Sequence, residues 1–266
     1  MIHSKFRIGA VSYLNTVPLI WGMLHGRQKA DVDLSFSIPS VCATQVEENA
    51  VQLGLVPAAE IVRQGLEMVP GVGITCLGAV RSILLFSSVP WRQVRTLAAD
   101  LGSRTSVHLA RIILRERYGV EPQVTPSEPA LGKMLSEADA ALIIGDSALQ
   151  TRVEEFDPLQ KRLAWLDLGA EWFWLTGLPM VFAAWAGKPG IATERFSAIA
   201  RASYDFGKIH LNEIVDQEHT RRGITKELAE RYLRKHIRFE MGSAEQQGFQ
   251  AFLELARLEP SLTHSI

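Results

Sequence analysis

The sequence predicts an α/β protein of two lobes, with mixed sheets flanked by helices and a ligand cleft between them. Three observations lead there. Short apolar runs alternate with segments of helical spacing through the first 77 residues, the β-α-β-α-β order of a mostly parallel sheet. Two apolar strands, one ending at Ser88 and one beginning at Met180, stand where the chain can leave a first lobe and return to it. From Thr193 onward the chain is nearly all helical in pattern. The division expected is residues 1–90 with 183–266 in lobe 1 and residues 91–182 as an inserted lobe 2. At 266 residues the chain has length enough to bury a substantial core.

The first strand is the apolar run from Phe6 to Val11. It stops at Ser12-Tyr13-Leu14-Asn15-Thr16, where hydroxyl and amide groups cluster just before Pro18. Proline suits a first helical turn, since its missing N–H would be an orphan there anyway, and a helix follows from Val17. In α/β folds a loop outside the carboxyl end of a strand is where ligands bind. The same residues also read as an N-cap with a turn. A strand over Val32–Ile38, a short helix from Ser40, a strand ending at Val56-Pro57 and another from Met68 complete this part. Ala79–Ser88 is expected as one long strand running toward Val89-Pro90-Trp91.

In the second lobe Ser103-Arg104-Thr105-Ser106 opens a helix carrying Val107, Ala110, Leu114 and Tyr118 on one face, with Gly119 as its stop. Ala138–Ile144 is a strand buried on both faces, and Gly145-Asp146-Ser147 turns it into the next helix. Ser243 and Gln246 have the spacing of a capping box for the last helix.

Composition narrows the function. The chain is 47% hydrophobic and 21% charged with a net charge of −1, so nothing steers it toward nucleic acid. No apolar run reaches the roughly 18 residues of a membrane span, and no apolar leader precedes the first strand, so a cytoplasmic location is expected. Cys42 and Cys76 have no CxxC partner or metal spacing and read as buried free thiols. The seven histidines are dispersed without HExxH, and neither GxxxxGK[ST] nor GxSxG occurs. The six tryptophans, Trp172 and Trp174 among them, read as packing.

What remains is a binder of a small anion. Ser103, Arg104, Thr105 and Ser106 would bring N–H groups, hydroxyls and a positive dipole end together, beyond capping the helix. Gly145 and Asp146 offer a second helix start at the same cleft, with Asp146 either an acceptor for a ligand hydroxyl or an N-cap. Ser82 is the strand serine expected to look into the cleft; Ser87 points the other way.

Ser12-Tyr13-Leu14-Asn15-Thr16-Val17-Pro18-Leu19 resembles the signature of the chorismate dehydratase family of the futalosine route to menaquinone. Val80–Ser87, Ser103–Val107 with Arg111–Leu114, Leu142–Asp146, Thr176–Phe182, Tyr232-Leu233 and Gly248-Phe249 resemble it in the same order. The resemblance implies a type 2 periplasmic-binding-protein-like fold and removal of water from chorismate to give 3-[(1-carboxyvinyl)oxy]benzoate, with no metal or organic cofactor. It implies Asn15 at the reacting face, one carboxylate held by the 103–106 loop, and polar groups held by Ser12 and Ser82. A monomer or homodimer acting on a free dicarboxylate is expected, with no nucleic-acid or membrane partner. Ala58 departs from the pattern, since the family usually has a serine there. The alternatives are the sister enzyme that makes 1,4-dihydroxy-6-naphthoate and a non-catalytic carboxylate-binding or sensor protein.

Overall fold

The computed structural model describes residues 5–102, 104–152, 163–191 and 194–257. In chain order, β1 (Phe6–Val11), α1 (Val17–His25), β2 (Val32–Ser37), α2 (Pro39–Glu47), β3 (Leu53–Pro57), α3 (Ala58–Arg63) and β4 (Glu67–Cys76) come first. Then follow β5 (Ile83–Ser87), β6 (Thr96–Asp100), α4 (Thr105–Ile113), β7 (Gln123–Ser127), α5 (Leu131–Glu137), β8 (Ala140–Ile144), α6 (Gly145–Gln150), β9 (Ala164–Asp167) and α7 (Leu168–Thr176). The last part holds β10 (Met180–Gly187), α8 (Glu194–Ile209), α9 (Leu211–Arg221), α10 (Lys226–Arg231), β11 (Arg238–Glu240) and α11 (Ser243–Ala256).

Two sheets result. The first has six strands in the order β11-β4-β10-β3-β1-β2, and the second five in the order β7-β6-β8-β5-β9. β1 pairs parallel with β2 and β3, as the alternation of strand and helix requires, whereas β10 returns antiparallel between β3 and β4. In the second sheet β6 lies parallel to β7 and β8, and β5 is antiparallel to β8 and β9. All five residues of β8 are buried, in keeping with its unbroken apolar run.

One boundary moves. The strand expected over 79–88 begins at Ile83 and pairs only with second-sheet strands, so the chain leaves the first sheet within residues 77–82 and not at 90. Asp167 is the cause. Its carboxylate accepts from Val80 N at 2.9 Å and Arg81 N at 2.6 Å, and it caps α7 through Gly169 N and Ala170 N. Arg81 sits at φ 64, and its guanidinium donates to the Ala148 and Thr151 carbonyls at 2.8 and 2.7 Å. Those bonds replace the strand ladder that the apolar pattern of 79–82 suggested. The return strand begins at Met180, where its apolar run begins, and the lobe boundary expected at 183 falls inside it.

Three smaller differences follow the same logic. At the start of α11 the Glu245 carboxylate accepts from Gly242 N at 2.9 Å, one residue ahead of the Ser243–Gln246 pair, and glycine has no side chain to close a full capping box. Trp172 is fully buried, but Trp174 is 69% exposed with the Arg117 guanidinium 4.3 Å above its ring, so it is no core residue. The aromatic stretch around them is helix α7. Cys42 and Cys76 are buried free thiols, and burial pushes the Cys42 thiol up to about 12.

Candidate functional site

The β1 strand delivers its loop to the space between the two sheets. Thr16 N donates to Tyr13 O at 3.0 Å, closing a short turn over Leu14–Thr16 that leads straight into α1. Leu14 is fully buried and its N–H donates to Asp146 Oδ1 at 3.0 Å, across to the start of α6. That bond orients the turn, so that the half-buried Asn15 and the buried Thr16 face the cavity.

Ser82 arrives from the crossing that Asp167 and Arg81 hold. Its hydroxyl oxygen accepts from the phenol of Tyr232 at 2.9 Å, and the Asn15 side chain lies near enough to the same phenol to pull its pKa down. Tyr232 is 1% exposed, and burial drives its pKa far above the ordinary tyrosine value, against the pull of Ser82 and Asn15. The phenol therefore stays protonated and donates. With the phenol's proton directed at the Ser82 oxygen, the serine's own proton is left free to point elsewhere.

The third wall is the start of α4. Thr105 and Ser106 are buried and Arg104 is half-buried, and all three line the cavity. Thr105 Oγ1 accepts from Ala59 N at 3.2 Å, so a hydroxyl from one lobe occupies the N-terminus of α3 in the other. Ala58 is fully buried behind it and does not line the cavity. The Arg104 guanidinium lies 3.1 Å from Glu60, which also bonds Arg63 and Gln64. Burial alone would raise the Glu60 carboxyl, but Arg63, Gln64 and Arg104 bring it below the usual carboxylate range. Arg104 is thus a cation already shared with a carboxylate.

Gly145 completes the enclosure. It adopts φ +61, and a Cβ there would stand 2.6 Å from Tyr13 Cζ. Only glycine lets the β8–α6 turn take this left-handed form while the Tyr13 ring lies flat upon it. Tyr13 is held neutral by burial, with Asp100 and Asp146 adding to the rise.

The enclosed space is about 70 Å³. Asn15, Ser82, Arg104, Thr105, Ser106 and Gly145 of the expected residues line it. Ser12 does not: it is exposed, and its carbonyl accepts from Arg222. Asp146 does not either, because its two carboxylate oxygens are taken by Leu14 N and the Arg222 guanidinium. It ties the lobes instead of facing a ligand; burial raises its carboxyl, against the pull of Arg222 and Leu14 N. Ser103 lies outside the described residues. The walls are also more apolar than the sequence suggested, with Val11, Leu55, Ile74, Ile144 and Phe182 between the polar groups. Faces of that kind suit a carbon ring, and the few polar groups among them would fix its orientation. A larger open groove of about 760 Å³ lies elsewhere, beside Arg201, Lys208 and Glu240, and contains none of the expected residues.

Sequence reasoning gave no role to Tyr13, Glu60 or Tyr232, and placed Thr16 with Asn15 only as a loop position where such folds bind ligands or as a cap. Tyr13 and Thr16 lay inside the quoted loop, so their place was visible though not their task. Tyr232 is 150 residues from Ser82, and no local pattern connects them.

A family model described as menaquinone biosynthesis matches residues 6–258. The chain belongs to that family. Among the relatives it resembles, a protein named chorismate dehydratase from Thermus thermophilus is 26% identical over 260 residues, 93% of each chain. Solved structures share the fold. A protein from Archaeoglobus fulgidus superposes with a TM-score of 0.73 at 15% identity, covering 95% of this chain and 97% of that one. The alkanesulfonate-binding protein of Xanthomonas axonopodis pv. citri, solved bound to MOPS, gives 0.67 at 13% identity over 98% and 96%. The family member described here therefore has the periplasmic-binding-protein fold that its two sheets and antiparallel return strands outlined. Among the described residues no helix is long and apolar enough to cross a membrane, and no group of three His, Cys, Asp or Glu is placed to hold a metal ion.

Proposed function

We propose that this protein is a hydro-lyase, a chorismate dehydratase acting in the cytoplasm. The reaction removes the C3 proton and the C4 hydroxyl of chorismate. The C3–H electron pair becomes the third ring double bond, the C4–O bond breaks with its own pair, and proton and hydroxide leave as one water. Aromatisation supplies much of the driving force, so the protein's part is to bind, orient and exclude water.

The residues divide that work. Asn15 positions the departing hydroxyl. Its amide is no base, and the proton acceptor in this reading is the substrate's own enolpyruvyl carboxylate. Ser82, with its proton free, donates to a ligand oxygen, and the α4 start with Arg104 takes a ring or side-chain carboxylate. The apolar walls cover the ring faces. The observation that carries the reading is the meeting of Asn15 and Ser82 at one cavity wall, with Ser82 anchored on the Tyr232 phenol.

A space of about 70 Å³ is well below the ~300 Å³ at which ligand pockets begin. Chorismate therefore enters with the lobes further apart, and the Leu14–Asp146, Ala59–Thr105, Glu60–Arg104 and Asp146–Arg222 contacts are among those that part and re-form. The test is to mix the protein with chorismate and follow the ultraviolet spectrum. The cyclohexadiene band should decay as a benzoate band grows, and Asn15→Ala should abolish the change while binding persists. Saturable binding without spectral change would favour the sensor reading.

A further inference from the structure

Thr16 is fully buried, and its hydroxyl has no hydrogen-bond partner among the described residues. It lines the same cavity as Asn15 and Ser82. Buried hydroxyls nearly always find a partner, so an unpaired one asks for a reason.

Three features of this loop deny Thr16 its usual partners. A threonine before a helix ordinarily caps it, accepting from the N–H two or three residues on, with its own backbone extended. Here Thr16 has φ −78 and ψ −30, already helical, and makes no cap bond. Two residues on stands Pro18, which has no N–H. The other common partner of a helical threonine is the carbonyl four residues back. That carbonyl belongs to Ser12 and accepts from the Arg222 guanidinium. The hydroxyl is left facing the cavity.

We propose that Thr16 Oγ1 is a ligand-binding subsite that takes a hydroxyl or carboxylate oxygen of the ring acid, beside the group handled by Asn15. This rests on the dehydratase reading for the ligand's identity. The orphaned hydroxyl itself is a property of the ligand-free protein.

The two parts can be tested separately with Thr16→Val, which keeps the shape and removes the hydroxyl, and Thr16→Ser, which keeps a hydroxyl. Thermal midpoints are measured without ligand, and kcat and KM with chorismate. Thr16→Val should melt at or above the wild-type temperature, because no bond is lost and an unsatisfied group is removed. Its KM should rise about tenfold, the loss expected for one hydrogen bond to a ligand, while Thr16→Ser stays within threefold of wild type. A Thr16→Val protein with KM and kcat within twofold of wild type would overturn the proposal. So would a fall of several degrees in its ligand-free midpoint, which would mean that the hydroxyl holds the fold. If wild-type protein binds chorismate without converting it, the dehydratase reading fails, and a weaker chorismate affinity of Thr16→Val by calorimetry still upholds the subsite.

Discussion

The phenol of Tyr232 donates to the hydroxyl of Ser82 at 2.9 Å, joining the helical tail of the chain to the crossing between its two sheets. The same phenol lies beside the Asn15 side chain. One buried group thereby fixes Ser82 on the cavity wall beside Asn15, and the consequence can be measured. Tyr232→Phe keeps the ring packing and removes the oxygen. It should lower kcat by about 10- to 100-fold, the range of one or two lost positioning bonds of ~1–1.5 kcal/mol each, with KM changed far less. Combining it with Ser82→Ala should add little, since both act on one unit. Full additivity in a double-mutant cycle would show that Tyr232 is packing alone.

The Tyr13 ring on Gly145 makes a second test. Gly145→Ala places a Cβ against Tyr13 and forces an L side chain to φ +61. A cost of about 1–3 kcal/mol is expected in urea or thermal unfolding. The lobes should also close less completely, raising KM for chorismate. Unchanged stability and unchanged KM would mean that Tyr13 moves aside freely.

The acid side of the stability curve should report Glu60. Its folded-state pKa lies below the ordinary value, so its contribution is fully present above about pH 4.5, the ordinary glutamate value, and is lost as pH falls through the lowered folded value. Glu60→Gln should therefore cost about 1–2 kcal/mol at neutral pH and flatten the loss of stability below pH ~4.5. An acid limb identical to that of wild type would show that Arg63 and Arg104 do not depend on it.

How much of this was legible in the chain follows from distance along it. β1, its polar loop and the start of α1 were readable because strand, turn and helix signals lie within about twenty residues. The six residues brought to the cavity came from loops at strand ends, where α/β topology collects them. Ser82 was placed correctly at the cavity although its segment was taken for strand: the Asp167 carboxylate that unwinds 79–82 is 86 residues from Arg81. Asp146 and Ser12 looked like ligand groups because Arg222, which engages both, lies in a helical stretch with no motif of its own. β11 is three residues long and exists through pairing with β4, so no periodicity announces it. Thr16 was in view throughout, but its missing partner is a fact of three dimensions.

Incubating wild-type protein with chorismate and weighing the product by mass spectrometry bears most directly on the proposed chemistry. A product lighter than chorismate by one water, carrying an aromatic ring with the enolpyruvyl ether intact, is expected, and Asn15→Ala should form none of it. Chorismate recovered unchanged after many equivalents of time with folded, ligand-competent protein would contradict the proposal.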